Sequence, residues 1–361
     1  MLEAPLAPYL LWAKSRDPAP IDLAGSNLQP CAIDDLPGAR EALAIRAAND
    51  NGYRPLVEAI AAHYGIAESR VVSGTGCSGA NFVAIAGLVG PGDEVLVEQP
   101  GYDPLVGASR LMGATIRYFA RRFEDGYQLD VDRLAASVTP RTRLVIVTTP
   151  HNPTGCRIDE ADLLALGALM APRGWVLVDE VYLDGANLVA GRPATEGSAA
   201  RLDGPFIVTS SLTKSYGLAG LKCGWSIASP MNAERLRRTR DVVENAGSAP
   251  ADTLGVLAFT HLPKLAERTR RLLGRNVTLA REFFAGDHGL ALAAAPEASV
   301  VFPRIIDPAD ADGDDFAERL LTRHGVAVAP GSFFGSAAHV RISLAGDSDS
   351  LALGFTKLTR L

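Results

Sequence analysis

Five short stretches of this 361-residue chain place reactive side chains at the ends of apolar runs. Lys214 lies in Ser210-Ser-Leu-Thr-Lys-Ser-Tyr-Gly-Leu-Ala-Gly-Leu-Lys-Cys-Gly-Trp225, among hydroxyls and with glycines close behind. A lysine there is either an ordinary solvated cation or an amine that condenses with an aldehyde cofactor; the loop alone leaves both readings open. Asp179-Glu-Val-Tyr182 puts a carboxylate at the end of an apolar run, costly to bury unless paired, which favours function. In Pro150-His-Asn-Pro-Thr-Gly155 the Asn152 amide is held by a rigid, proline-flanked turn, a feature that structure alone also explains. Ser73-Gly-Thr-Gly-Cys-Ser-Gly-Ala80 leads straight into a predicted helix, so converging amides and the helix dipole suit an anion. Cys77 and Ser78 are the residues best placed to hold a phosphate, unless the stretch is only a tight turn with a serine cap. Gln99-Pro-Gly-Tyr-Asp103 adds an aromatic ring, Tyr102, which is otherwise a half-buried surface residue.

The elements that must carry these residues alternate between strand and helix from about Tyr53. Strands are expected at 71–73, Val95–Glu98, Thr115–Phe119, Leu144–Thr149, Trp175–Asp179, Phe206–Thr209 and Gly224–Ala228. Helices are expected at Tyr53–Tyr64, Ser78–Val89, Pro104–Met112 and Glu160–Met170. Apolar strands without alternation, separated by helices, indicate a largely parallel sheet covered on both faces. In such sheets ligands bind beyond the C-terminal strand ends, which is where every stretch above falls. The first fifty residues, with prolines at 5, 8, 18, 20, 30 and 37, read as an irregular arm with one helix at Gly38–Ala48. After Met231 come long basic helices (231–245, 260–285). A tail of short strands (298–304, 326–328, 339–343) and helices (313–323, 348–360) then reads as a smaller α+β unit. The expected division is an arm at 1–48, a large domain at 49–245, and a connecting helix with a small domain at 246–361.

Taken together, His151-Asn-Pro-Thr-Gly155, Asp179-Glu-Val-Tyr182, Ser211-Leu-Thr-Lys214 with Gly217 to Trp225, and Val340-Arg-Ile-Ser343 resemble the class I/II aminotransferases, fold-type I enzymes dependent on pyridoxal phosphate. The resemblance runs from about residue 20 to the C-terminus, in matching order and spacing. It implies an α/β fold with a large domain built on a mostly parallel, seven-stranded type of sheet, plus a smaller α+β domain. It implies that Lys214 carries the cofactor as a Schiff base, that Asp179 faces the pyridine nitrogen and that Tyr182 and Asn152 bond the ring oxygen. It further implies that Tyr102 stacks on the ring, that Cys77, Ser78, Ser211 and Lys222 cradle the phosphate, and that Arg341 grips the substrate α-carboxylate. Gly25 and Asn27 fall where the family's N-terminal segment covers the substrate. At Lys222 the family usually has arginine; lysine keeps the charge and loses the two-pronged fork. Ala47 stands where the family tends to carry a tyrosine that crosses the dimer, and Tyr53 is the candidate substitute.

The implied activity is transfer of an amino group between an α-amino acid and a 2-oxo acid by a ping-pong cycle, in a homodimer whose partner packs against the arm. The alternative is a lyase, decarboxylase or cyclising synthase on the same fold. A non-catalytic regulator would need a DNA-binding segment that the sequence does not show. With no second arginine in a clamp-like context, neutral side chains are favoured over acidic ones. A net charge of −6 and 47% hydrophobic residues argue against a nucleic-acid surface. No apolar run has the length of a membrane span. Four widely spaced cysteines suit reduced thiols in the cytoplasm, with no metal site.

Overall fold

The computed structural model describes residues 7–46, 52–306 and 312–359. A helix α1 (Pro8–Ser15) and a two-residue strand β1 (Ile21–Asp22) come first, followed by short α2 (Ala39–Ala42) and α3 (Arg54–Tyr64). Then β2 (Val71–Thr75) feeds α4 (Gly76–Leu88) with no intervening residue. The remaining strands of the large sheet are β3 (Glu94–Gln99), β4 (Thr115–Ala120), β5 (Thr142–Thr148), β6 (Trp175–Asp179), β7 (Phe206–Ser211) and β8 (Cys223–Ile227).

The sheet has seven strands in the order β2-β8-β7-β6-β5-β3-β4. The β3–β4, β3–β5, β5–β6 and β6–β7 pairs are parallel, while β8 runs antiparallel to both β2 and β7. Two reversals cancel, so β2 points the same way as β7. The ends of β2, β3, β5, β6 and β7 therefore share one edge, where β8 begins. Leu144, Val145, Ile146 and Val147 are fully buried, as are Val176, Leu177 and Val178. That burial is why these strands read as continuous apolar runs rather than as alternating ones. Apolar clusters cover both faces, with Leu163, Leu166 and Met170 on one and Val83, Ala84 and Ile85 on the other.

A second apolar cluster joins the C-terminal region to the arm, with Ile21, Leu23 and Leu28 packed against Val326, Val340 and Phe355. Here β1 pairs in parallel with Val326–Ala327. The arm is not irregular throughout, since α1 is helical and the segment packs on its own chain. The helix expected at Gly38–Ala48 is confined to Ala39–Ala42; residues 43–46 are not helical, and 47–50 lie outside the described residues. Between the two expected long helices the structure inserts a third, Ala249–Thr260. No helix among the described residues is long and apolar enough to cross a membrane.

Candidate active site

At the strand-end edge lies a cavity of about 380 Å³. Its walls include Cys77, Ser78, Tyr102, Asn152, Asp179, Tyr182, Ser211, Lys214, Lys222 and Asn27. Thus ten of the twelve residues singled out by sequence come together from seven segments. The other two, Gly25 and Arg341, stand behind the wall and touch each other through the Gly25 carbonyl, 3.4 Å from Arg341 Nη2.

The sheet sets the positions. Thr148 on β5 is the register partner of Asp179 on β6, and Asp179 is that of Thr209 on β7. Asp179 Oδ1 accepts from the Val181 amide at 3.0 Å and from the Cys77 thiol at 3.4 Å; Oδ2 accepts from Asn81 Nδ2 at 2.7 Å. Burial pushes the Asp179 carboxyl above its ordinary value, and the three donors and the Lys214 charge pull against that rise. Lys214 sits in the single helical turn after β7, whose Thr213 amide donates to the capping Ser211 hydroxyl. Its Nζ donates to Ser26 Oγ at 2.9 Å. Enclosure and the Arg341 charge lower its amine to about 8, against the opposing effect of Asp179. The Tyr182 phenol, buried beneath the lysine, is raised to about 12 by that burial.

Asn152 is fixed at both ends, its backbone N–H donating to Thr148 Oγ1 at 2.9 Å and its Oδ1 accepting from Arg341 Nη1 at 3.0 Å. Thr148 is itself held by Glu98, whose other oxygen pairs with buried Arg121 at 3.0 Å. The Arg341 guanidinium lies between the rings of Tyr9 and Phe334, 4.6 and 4.7 Å from their centroids. Nη2 also donates to Tyr9 Oη at 2.5 Å and to the Ala24 carbonyl at 2.8 Å, while Nε has no partner among the described residues.

The anion end is built by close backbone approach. Gly76 opens α4 with φ +67°, and its N–H donates to the Lys222 carbonyl at 2.6 Å. A Cβ on Gly224 would meet the Gly76 carbonyl carbon at 2.3 Å, so only glycine lets β8 pass beneath this loop. Lys222 itself is left-handed, φ +54°. Among the described residues no side chain caps the first turn of α4, which leaves the amides after Gly76 for a ligand. Ala47 lies outside the described residues. Tyr53 is partly buried against the apolar core and does not line the cavity.

These residues fit pyridoxal phosphate by the chemistry of their donors. An amine of lowered basicity suits an aldehyde, an uncapped helix start with Ser78, Ser211 and Lys222 suits a dianion, and a buried, donor-held carboxylate suits a ring nitrogen. Sequence reasoning missed Ser26, Asn81, Thr209, Tyr9 and Lys14, of which Asn81 and Lys14 also line the cavity. Asn81 carried a signal, as the one polar residue in the otherwise apolar stretch Ala80–Leu88.

The family model for aminotransferase class I and II matches residues 39–353. Capreomycidine synthase of Streptomyces vinaceus is 33% identical, covering 98% of this chain and 93% of its own length. The arginine–pyruvate transaminase of Pseudomonas aeruginosa is 30% identical over 76% of this chain and 69% of its own. Among solved structures, a pyridoxal-phosphate-dependent aminotransferase from Streptococcus suis superposes with a TM-score of 0.87 at 23% identity, covering 99% of this chain and 98% of that one. N-succinyldiaminopimelate aminotransferase from Mycobacterium tuberculosis gives 0.82 at 26%, covering 94% and 93%. With a family model spanning most of its length and these donors in one cavity, the chain belongs to the class I and II aminotransferases, enzymes that work with pyridoxal phosphate.

Proposed function

We propose that the protein moves an amino group between an α-amino acid and a 2-oxo acid in two half-reactions, as a cytoplasmic homodimer. The observation that carries this reading is the Arg341–Asn152 contact of 3.0 Å, which ties a buried carboxylate-binding fork to the wall of the cavity that holds Lys214 and Asp179. When bound, pyridoxal phosphate supplies a protonated ring that draws electrons from the substrate Cα.

In this reading Lys214 holds the cofactor covalently and, once freed, carries the proton between substrate Cα and its acceptor. Its lowered basicity keeps a share of the amine neutral near neutral pH, as a proton carrier needs. Asp179 would keep its charge for the ring nitrogen, Tyr182 and Asn152 would bond the ring oxygen, and Tyr102 would cover the ring face. Ser78, Ser211, Lys222 and the amides of Cys77 and Ser78 hold the phosphate. Arg341 takes the α-carboxylate that donor and acceptor share, which fixes the Cα–H bond for proton removal. Gly25 and Asn27 close the substrate side. Ile45, 93% exposed, and Val242, 89% exposed, are apolar side chains suited to burial against a second copy.

A second reading, a cyclising or eliminating synthase, is favoured by one observation: the relative matched over 98% of this chain is named a synthase. A panel of single amino acids offered to the cofactor-loaded protein decides between them. Transfer predicts that one amino acid yields its own 2-oxo acid, about one equivalent per site without acceptor, and that an added 2-oxo acid restores the cycle. Release of ammonia or carbon dioxide, or a cyclised product that keeps its nitrogen, replaces transfer with the synthase reading.

A further inference from the structure

Helix α4 crosses the sheet above β6 and β7, and Cys77 and Asn81, four residues apart, share the face that meets Asp179. Asn81 Nδ2 donates to Asp179 Oδ2 at 2.7 Å, and Asn81 Oδ1 accepts from the Thr209 hydroxyl at 2.6 Å. Asn81, Thr209 and Asp179 are 5%, 0% and 6% exposed, so the Asn81–Thr209 bond is closed to solvent and the Asn81–Asp179 bond lies at the buried wall of the cavity. An amide has one donating and one accepting end. With its oxygen occupied by Thr209, its N–H₂ is left for the carboxylate, a pairing that favours the ionised form.

We propose that Asn81 and Thr209 are positioning residues for the reaction: Thr209 pins the far end of the Asn81 amide, and that amide holds Asp179 ionised and oriented for the cofactor's ring nitrogen. The inference rests on the reading above that Asp179 serves that nitrogen. Burial opposes ionisation of Asp179, and its strongest counterweight is the Asn81 bond, shorter than those from Val181 and Cys77. Without it the carboxyl takes up a proton at higher pH and donates nothing to charge separation in the ring. The titratable and charged groups that face Asp179 are Cys77, Lys214, Tyr182, Tyr102 and Glu180. None of them is altered in the variants below.

The test begins on the cofactor-free protein. Infrared difference spectra against Asp179→Asn isolate the carboxylic-acid band of Asp179, which is followed against pH. Asn81→Leu, which keeps the branch at Cγ and loses both polar ends, is expected to shift the protonation of Asp179 upward by about one pH unit or more, the tenfold effect of losing one charge-assisted bond. Thr209→Val should shift it in the same direction and Thr209→Ser should return it. In the loaded enzyme kcat should fall about tenfold or more in Asn81→Leu and Thr209→Val with KM little changed. Superimposable infrared profiles for wild type, Asn81→Leu and Thr209→Val overturn the proposal. Should Asn81→Leu not fold, the Thr209→Val and Thr209→Ser pair decides by the same criterion. A shifted band in a protein that transfers no amino group leaves the relay standing and removes the functional reading; an unshifted band in an active transaminase does the reverse.

Discussion

Replacing Glu98 by glutamine strikes beneath the site without touching the cavity. Glu98 and Arg121 are 2% and 0% exposed and pair at 3.0 Å; Glu98 Oε1 accepts from both the amide and the hydroxyl of Thr148, at 2.7 and 2.6 Å. Among the described residues Arg121 has one further acceptor, the Tyr127 carbonyl at 2.7 Å, and its Nη2 has no partner. Glutamine keeps an oxygen for Thr148 but turns an amide N–H₂ towards the guanidinium. The buried cation is then uncompensated, at a cost of about 3–5 kcal/mol. In Glu98→Gln/Arg121→Met both charges are gone, and what remains unpaired is neutral, the Tyr127 carbonyl and the introduced amide N–H₂, at about 1–3 kcal/mol each at most. The double variant should therefore be more stable than Glu98→Gln alone, a strong departure from additivity. Urea unfolding of the cofactor-free protein, followed by tryptophan fluorescence, measures each. A Glu98→Gln cost below about 1 kcal/mol, or a double variant equal to the sum of the two singles, refutes the claim that this pair is electrostatically closed.

Covalent capture of pyridoxal phosphate by the cofactor-free protein should speed up with pH and level off near pH 8, where the Lys214 amine is free; a rise continuing towards the ordinary 10.5 contradicts this. Because the folded amine loses its proton at lower pH than the unfolded one, Lys214 also makes stability rise with pH between about 8 and 10.5, and Lys214→Met should flatten that rise. Gly224→Ala, which drives a Cβ to 2.3 Å from the Gly76 backbone, should weaken cofactor binding tenfold or more, by an overpacking cost of about 1–3 kcal/mol; equilibrium dialysis giving a wild-type Kd excludes it. Arg341→Ala should raise KM for the amino acid and the 2-oxo acid together, since both bear the carboxylate, and an effect on one alone contradicts a shared grip. Sedimentation should find a dimer, and active monomers would remove that part of the proposal.

The sheet was legible because its strands are buried on both faces, which leaves unbroken runs such as Leu144–Thr148. The reactive loops were legible because each strand end carries its own punctuation. Trp175–Asp179 and Glu160–Met170 fall where the sequence puts them. The arm was misread because its prolines look like breakers, yet Pro8 sits in the first turn of α1, where a missing N–H costs nothing. The helix expected through Ala48 stops at Ala42; beyond it Leu43 and Ile45 are exposed, so this chain offers them no face to pack on. Asn81 and Thr209 went unseen as a pair because 128 residues separate them, and only the crossing of α4 over β7 brings them together. Tyr9 on Arg341 spans 332 residues and has no local signature at all.

The antiparallel turn of β8 has an evolutionary consequence. Because β7 ends and β8 begins at one sheet edge, Lys214 and Lys222 belong to a single excursion of the chain between Ser211 and Cys223. Asp179, Asn81 and Asn152 are rooted in other elements. Lys214 hangs from the end of β7 and Lys222 from the start of β8, and those two strands are paired. An insertion or deletion between them therefore strains the one link that spaces the two cations, whereas lysine in place of arginine at its far end leaves the length of that link unchanged.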